Sequence, residues 1–201
     1  MQCSRFHDVL HHITIGGTSI LRYPDGMALH HVAIATRDAD STHRFYTEAM
    51  GFKLAKVEVA DTATGGWARH LFYDTGDGMI AFWDLDEAKI NEFDPAISTG
   101  LGLPIWTNHL AFVAADQGRL DHAKSRWIAF GLDVAEIDHE WCVSIYTTDP
   151  NGIMVEWCLT THVFDAADQA EAEMLRVAKA PPLREAKGAT FFLANGSIIA
   201  P

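Results

Sequence analysis

The sequence predicts an α+β protein built from two copies of a strand–helix–strand–strand–strand (βαβββ) module. Three observations lead to this prediction. Residues 31–38 and 109–116 each begin with His, continue as an apolar run typical of a buried strand, and reach Asp seven positions later. After each run come one segment with helical spacing and three strand-like runs, in the same order. The length of 201 residues, with 48% apolar and 21% charged residues, is typical of one globular domain.

The first module is predicted over residues 28–84. Asp38 stands where a helix N-cap belongs, and residues 39–50 carry apolar side chains at helical spacing until Gly51 ends the helix. Residues 74–78, Asp-Thr-Gly-Asp-Gly, predict a hairpin turn. The strands predicted after the helix are 53–59, 68–73 and 79–83.

The second module is predicted over residues 105–160 and repeats these signals. Asp116 is the expected N-cap, residues 118–130 have helical spacing, and Gly131 ends the helix. A turn is predicted at residues 149–152, Asp-Pro-Asn-Gly. The strands predicted in this half are 134–137, 143–147 and 153–158.

The two modules are predicted to form one domain, residues 27–160, with an extension on each side. Residues 1–26 predict an extra strand or an extended arm, in which His12 has no catalytic role. Residues 161–201 predict a C-terminal helix and tail, with the helix at about residues 165–180 because this segment is rich in Ala, Glu and Asp.

Charge and composition exclude several classes of partner. The 15 basic and 27 acidic residues give a net charge of −12, which argues against binding to nucleic acid or to an anionic membrane surface. No apolar run approaches the roughly 20 residues that span a bilayer. Residues 1–7 lack the apolar core of a secretory signal, and the three cysteines do not form a disulfide pattern, so a cytoplasmic location is expected.

The repeat and its opening histidines resemble the vicinal oxygen chelate superfamily, which includes glyoxalase I, fosfomycin-resistance thiol transferases, bleomycin-binding proteins and extradiol dioxygenases. The resemblance covers residues 28–160. It implies that the paired modules form an open cup around a divalent metal, with ligands on the first and last strands of each module. Carried over by position, the implied metal ligands are His31, His109 and Glu156.

One ligand position of the superfamily is vacant in this sequence. Aligning Gly78 with Gly152 places Phe82 at the position equivalent to Glu156, and Phe cannot bind a metal. His30, next to the implied ligand, is expected to point to the other side of the strand. Two His and one carboxylate leave several coordination positions open, which is typical of non-haem Fe(II) enzymes that bind both substrate and O2.

The second module also resembles the extradiol ring-cleavage dioxygenases, through His139, Tyr146, residues 149–152 and Glu156. This resemblance implies that His139 and Tyr146 lie beside the metal-bound substrate. The acid–base His of that family falls at Gly78 here. His70, on the preceding strand, is either its substitute or an ordinary strand residue.

The resemblance therefore implies an Fe(II)-dependent extradiol-type dioxygenase that cleaves a catechol-like aromatic diol. Tyr146 would hydrogen-bond the substrate, and His139 or His70 would carry protons. A lyase, isomerase or thiol transferase that uses Mn, Zn or Ni as a Lewis acid is the first alternative, because fosfomycin-resistance enzymes also use two His and one Glu. A small-molecule binding protein of the bleomycin-resistance type is the second alternative. A homodimer is expected because superfamily members often pair.

Overall fold

The computed structural model describes residues 11–15, 18–22, 29–87, 90 and 92–201. A strand lies where the sequence predicted an extra one: β1 (His11–Ile15) pairs antiparallel with β2 (Thr18–Arg22) as a separate two-stranded sheet. His12 lies in β1, and the prediction for its side chain falls outside the described part of the chain, as does the rest of the N-terminal extension. Among the described residues, no helix is long and apolar enough to cross a membrane.

The first module has the predicted order of elements. Asp38 accepts a hydrogen bond from the Ser41 backbone N–H and so begins the first helix, as expected for an N-cap. The helix continues as a π-helical turn, Phe45–Ala49, and the chain leaves it at Gly51, whose φ of +78° lies in the left-handed region. The elements are β3 (His31–Thr36), α1 (Ala39–Arg44), β4 (Lys53–Asp61), β5 (Trp67–Asp74) and β6 (Met79–Asp86).

The second module repeats this arrangement, with Asp116 as N-cap and Gly131 in the left-handed conformation at the helix end. Its elements are β7 (His109–Val113), α2 (Gln117–Phe130), β8 (Val134–Asp138), β9 (Cys142–Thr148) and β10 (Met154–Thr160). The strand orders are β3–β6–β5–β4 and β7–β10–β9–β8, and the first and last strands of each module run parallel. The predicted α+β fold of two βαβββ modules is confirmed.

The C-terminal segment contains the predicted helix and two strands that the sequence did not predict. Helix α3 (Ala166–Val177) begins with Asp165 and Asp168 in a reciprocal capping box. Beyond it, β11 (Thr190–Phe192) pairs with β8, and β12 (Ile198–Ile199) pairs with β11. The tail thus extends the second sheet at its β8 edge.

The hydrophobic core lies between the helices and one face of each sheet. Phe82 of β6 and Tyr46 of the π-helical turn are fully buried, with ring centroids 4.6 Å apart. Across the modules, Phe52 contacts Phe112 and Trp157, with centroids 5.0 and 5.9 Å away. Because side chains alternate along a strand, the opposite face of each sheet carries a different set of residues, which includes the opening histidines. We call these opposite faces the cup faces.

A buried carboxylate organises the junction between the modules. Asp149, 4% exposed, accepts the Tyr46 hydroxyl (3.0 Å) and the backbone N–H groups of Asn151 (2.8 Å) and Ile153 (2.9 Å). The Asn151 side-chain oxygen accepts the Thr36 hydroxyl at 2.7 Å. The turn between β9 and β10 is therefore tied to the end of β3 and to the first helix.

The variant Asp149→Ala should lower the free energy of unfolding by about 3 kcal/mol or more, because it leaves the buried Tyr46 hydroxyl and two backbone N–H groups without an acceptor. Urea unfolding followed by circular dichroism measures this loss. The control, Tyr46→Phe, removes one hydrogen bond and leaves the two N–H groups paired, so its loss should be about 1 kcal/mol. Equal losses in the two variants would contradict this role of Asp149.

Candidate metal centre

The pairing of β7, β10 and β9 brings three predicted site residues to one cup face. Glu156 pairs with Ala111 of β7 and with Tyr146 of β9, and paired residues of neighbouring strands face the same side. His109 lies two residues before Ala111 on the same strand and shares its face. His109, Glu156 and Tyr146 therefore lie together on the cup face of the second sheet.

His109 and Glu156 are in direct contact. The His109 Nε2 atom lies 3.0 Å from Oε2 of Glu156, whose side chain is almost fully buried. The other oxygen of Glu156 accepts the Ser144 hydroxyl at 2.5 Å. His109 Nδ1 lies 3.0 Å from the Trp106 carbonyl oxygen. A carbonyl oxygen only accepts, so Nδ1 must carry a proton and donate it.

This geometry fits a bound divalent cation. With Nδ1 donating to the Trp106 carbonyl, Nε2 faces the carboxylate oxygen of Glu156, and either a proton on Nε2 or a cation between the two atoms makes this contact favourable. Two donor atoms that are each about 2.1 Å from one ion, at right angles to each other, lie about 3.0 Å apart. A metal-binding imidazole also usually donates its other N–H to a carbonyl or carboxylate. The geometry of His109 and Glu156 is thus compatible with two ligands of one cation.

His31, the third predicted ligand, lies on the other sheet. Its ring is exposed on the cup face of β3, with the rings of Phe72 and His70 at 5.6 and 6.1 Å. In the part of the chain that the structure describes, no three side chains of His, Cys, Asp or Glu come close enough to hold a metal. A single chain therefore brings two of the three predicted ligands together.

His30 does not point away from His31 as expected. Its Nδ1 atom lies 2.8 Å from Nδ1 of His31. The physical reason is that His30 precedes the first residue of β3, so the alternation of side chains along a strand does not govern it.

The prediction that Phe82 is equivalent to Glu156 is wrong by one residue. His31 pairs with Met79, so Ala81 of β6 holds the place that Glu156 holds in β10. The alignment failed because the loop between β9 and β10 has one residue more than the loop between β5 and β6. Alanine has no ligand atom, so the position in the first module is vacant in the structure as well.

Tyr146 and His139 form a hydrogen-bonded pair next to Glu156. The Tyr146 hydroxyl lies 2.9 Å from Nε2 of His139, which sits in the turn after β8. Burial, and to a lesser extent the negative Glu156, raise the pKa of Tyr146 well above its ordinary value, while Ser144 opposes the shift. The phenol is therefore protonated at neutral pH and can donate a hydrogen bond.

His70 is buried on the cup face of the first sheet. It is 5% exposed, stacks on Trp83 with ring centroids 3.7 Å apart, and contacts Phe72 at 4.0 Å. Its Nε2 atom has no hydrogen-bond partner among the described residues. Burial, followed by the neighbouring His31, lowers the pKa of His70 below its ordinary value. The lowered pKa favours the neutral form of His70 at neutral pH.

The metal-free protein should lose stability as the pH falls below about 6.5, partly through His70. The pKa of His70 is lower in the folded than in the unfolded chain, so the unfolded chain takes up the proton first and the free energy of unfolding falls until the folded pKa is passed. Urea unfolding at pH 7.5 and 5.0, with EDTA, measures the loss. Between these two pH values, the free energy of unfolding should fall less in His70→Phe than in the parent, whereas in the exposed control His122→Ala it should fall as much as in the parent. The same pH dependence in parent and His70→Phe would contradict this assignment.

Two groups that orient Glu156 and His109, namely the Ser144 hydroxyl and the Trp106 carbonyl, were not identified from the sequence. Ser144 stands two residues before Tyr146, so strand alternation could have placed it on the same face. The Trp106 carbonyl, in contrast, belongs to the backbone of a loop, and no sequence pattern indicates its direction.

Comparison with known proteins gives the following. The family model described as Glyoxalase/Bleomycin resistance protein/Dioxygenase superfamily matches residues 28–157. No curated protein matches the sequence significantly. A glyoxylase/bleomycin resistance protein/dioxygenase domain from Frankia sp. EAN1pec is 22% identical, over 67% of this chain and 92% of that one, with a TM-score of 0.50. At that identity the comparison supports a shared fold only.

Two further solved structures are similar at lower TM-scores. A lactoylglutathione lyase from Agrobacterium tumefaciens is 22% identical, over 66% of this chain and 93% of that one, with a TM-score of 0.46. The fosfomycin resistance protein FosX from Mesorhizobium loti is 19% identical, over 72% and 98% of the two chains, also with a TM-score of 0.46.

Proposed function

The chain belongs to the glyoxalase/bleomycin resistance protein/dioxygenase superfamily, whose model matches residues 28–157, and on this premise we propose that it is a metal-dependent enzyme, an Fe(II) extradiol-type dioxygenase that cleaves a catechol-like diol. The contact between His109 and Glu156 carries the proposal. Both side chains are oriented by other groups, and their 3.0 Å separation suits two ligands of one ion.

The third ligand in this proposal is His31 of a second copy of the chain. Within one chain His31 lies on a different sheet from His109 and Glu156, so each cup face carries only part of the proposed ligand set. Apolar side chains at the second cup face and its rim are exposed, with Val113 at 63% and Trp106 at 65%. A two-fold symmetric dimer that pairs the first sheet of one copy with the second sheet of the other would cover these residues and complete two sites.

The side chains around the centre have defined roles in this proposal. A divalent metal held by His31, His109 and Glu156 would supply Lewis acidity, and as Fe(II) it would also supply the redox chemistry that activates O2 toward the diol. Tyr146 donates a hydrogen bond to a substrate oxygen, and His139 exchanges a proton with the Tyr146 hydroxyl. On the facing sheet, the partly exposed ring of Trp83, which stacks on the buried His70, suits an aromatic substrate.

A Lewis-acid reaction is the second candidate, and one observation favours it. Met79, Ala81, Trp83 and Leu85 are the residues of β6 that share the cup face, and none of them can act as an acid or a base. The dioxygenase family usually places an acid–base His near the start of this strand. A lyase, isomerase or thiol transferase that uses Mn, Zn or Ni does not need that His.

Anaerobic purification followed by metal analysis and oxygen-uptake assays tests the proposal. We expect about one iron per chain and equimolar O2 consumption with a member of a catechol panel. Full iron occupancy without O2 uptake on any catechol would rule out the dioxygenase. Turnover of a glutathione hemithioacetal, or of fosfomycin with a thiol, by the Mn, Zn or Ni form would then support the second candidate. Binding of a small molecule without any bound metal would instead support a small-molecule binding protein of the bleomycin-resistance type.

A further inference from the structure

A cavity of about 840 Å³ lies between the turn after β8 and the C-terminal segment. Its walls include His139 and Trp141 from the turn, Phe164 from the loop after β10, and Ala172 and Leu175 from α3. Such a volume suits a small organic ligand. Most of the lining residues belong to the segment that follows β10. The family match ends at residue 157, so this part of the cavity lies outside the matched region.

The C-terminal segment is tied to the turn by several bonds, so the cavity is preformed. The Trp141 carbonyl accepts the backbone N–H groups of Thr161 (2.9 Å) and His162 (3.1 Å). Glu140 has a φ of +73°, which is uncommon for a residue other than glycine, and its carboxylate forms an ion pair with Lys187 of the tail. In this turn His139 contacts Tyr146 and Trp141 lines the cavity.

Two adjacent aromatic rings form one wall. The ring centroids of Trp141 and Phe164 are 5.3 Å apart, and the two residues are 43% and 48% exposed. Large aromatic side chains that stay half exposed in a preformed cavity provide apolar area and negative ring faces for a flat ligand.

The charged groups of the cavity favour a cation over an anion. Three carboxylates line it, Glu140, Asp168 and Glu171, against the single guanidinium of Arg184, so the lining has a formal charge of 1 − 3 = −2. Each carboxylate has a partner: Glu140 pairs with Lys187, Asp168 with His162 at 2.8 Å and Glu171 with Arg184 at 2.5 Å. The net charge of −12 on the whole chain acts in the same direction. A negatively charged ligand would approach without a free cationic group among the described lining residues.

We propose that this cavity is a second binding site, which takes a planar aromatic cation between the Trp141–Phe164 wall and α3. The site lies beyond the proposed catalytic centre and does not use the metal ligands. His139 lies between the two, because it lines the cavity and hydrogen-bonds Tyr146. An occupant of the cavity would therefore contact a residue that holds Tyr146 in place.

Isothermal titration calorimetry of the full chain with N-methylquinolinium tests this proposal. The probe has no chelating oxygens, so we expect 1:1 binding with a Kd below about 1 mM, unchanged after EDTA treatment. Ala172→Trp fills the cavity from α3, and Trp141→Leu removes one aromatic face. Each should weaken binding at least tenfold. Ala170→Trp is the matched control on the same helix, outside the cavity lining, and should bind like the parent.

Several results would overturn the proposal. The parent chain could show no binding at millimolar probe. Naphthalene-2-sulfonate, a flat anion of similar size, could bind as tightly as the cation. Ala172→Trp and Trp141→Leu could both bind like the parent while retaining its circular dichroism spectrum. Because the measurement needs neither metal nor turnover, a failure of the proposed enzymatic function would leave its outcome unaffected.

Discussion

Mixing a His31→Ala chain with a His109→Ala chain should restore about a quarter of the parent's metal content, although each variant alone should bind almost none. In a shared site, each metal takes His31 from one copy and His109 with Glu156 from the other. Random pairing makes half of the dimers mixed, and each mixed dimer has one intact site out of two. Three protein ligands leave no redundancy, so the loss of one ligand removes stoichiometric binding.

Metal analysis after co-expression of the two variants with different tags, and purification on both tags, isolates the mixed dimer, which should hold one metal per two chains. Glu156→Gln should behave like His109→Ala, because it lies in the same half of the site. His30→Ala and the exposed His122→Ala are the controls and should retain metal. A mixed dimer without metal would show that the three ligands belong to one chain or that the ligand set is wrong.

Tyr146→Phe should lower kcat and kcat/KM together by about 100-fold while metal content stays unchanged. The substitution keeps the ring and removes the hydroxyl that contacts His139 at 2.9 Å, so packing is little disturbed. A hydrogen bond that strengthens only in the transition state affects both constants, whereas one that only binds substrate raises KM. Steady-state kinetics on the most active catechol, with iron measured on the same samples, gives the values.

The matched control is Tyr73→Phe. Tyr73 is also a strand tyrosine whose hydroxyl contacts a histidine, His43 at 3.2 Å, but it is fully buried and lies on the helix side of the first sheet. This variant should turn over like the parent. An unchanged kcat in Tyr146→Phe at full iron occupancy would remove Tyr146 from the mechanism and favour the Lewis-acid candidate.

The repeat was readable in the sequence because its signals are local. A helix N-cap such as Asp38 or Asp116 acts within three residues, and Gly at a helix end acts within its own turn. Strand alternation likewise acts at a spacing of two residues, which is why His109, Glu156 and Tyr146 could be assigned to one face once their strands were paired.

Register between strands was not readable in the same way. The alignment of Gly78 with Gly152 made Phe82 the equivalent of Glu156, but strand pairing in the two sheets makes Ala81 the equivalent residue. One extra loop residue shifts every side chain of the following strand to the other face, and a loop length does not show which residues will pair. The strands β11 and β12 were missed for a related reason, because they form only by pairing with the edge of β8.

By itself, the sequence determined the two modules, their helix ends and the residue types able to bind a metal, since these depend on neighbours along the chain. The tertiary structure decided how far these residues come together. In the folded chain His109 contacts Glu156 and donates a hydrogen bond to the Trp106 carbonyl, and His139 hydrogen-bonds Tyr146. His31 lies on a separate sheet. These contacts depend on how sheets and loops pack against each other, and packing of distant segments is not encoded at any fixed spacing in the chain.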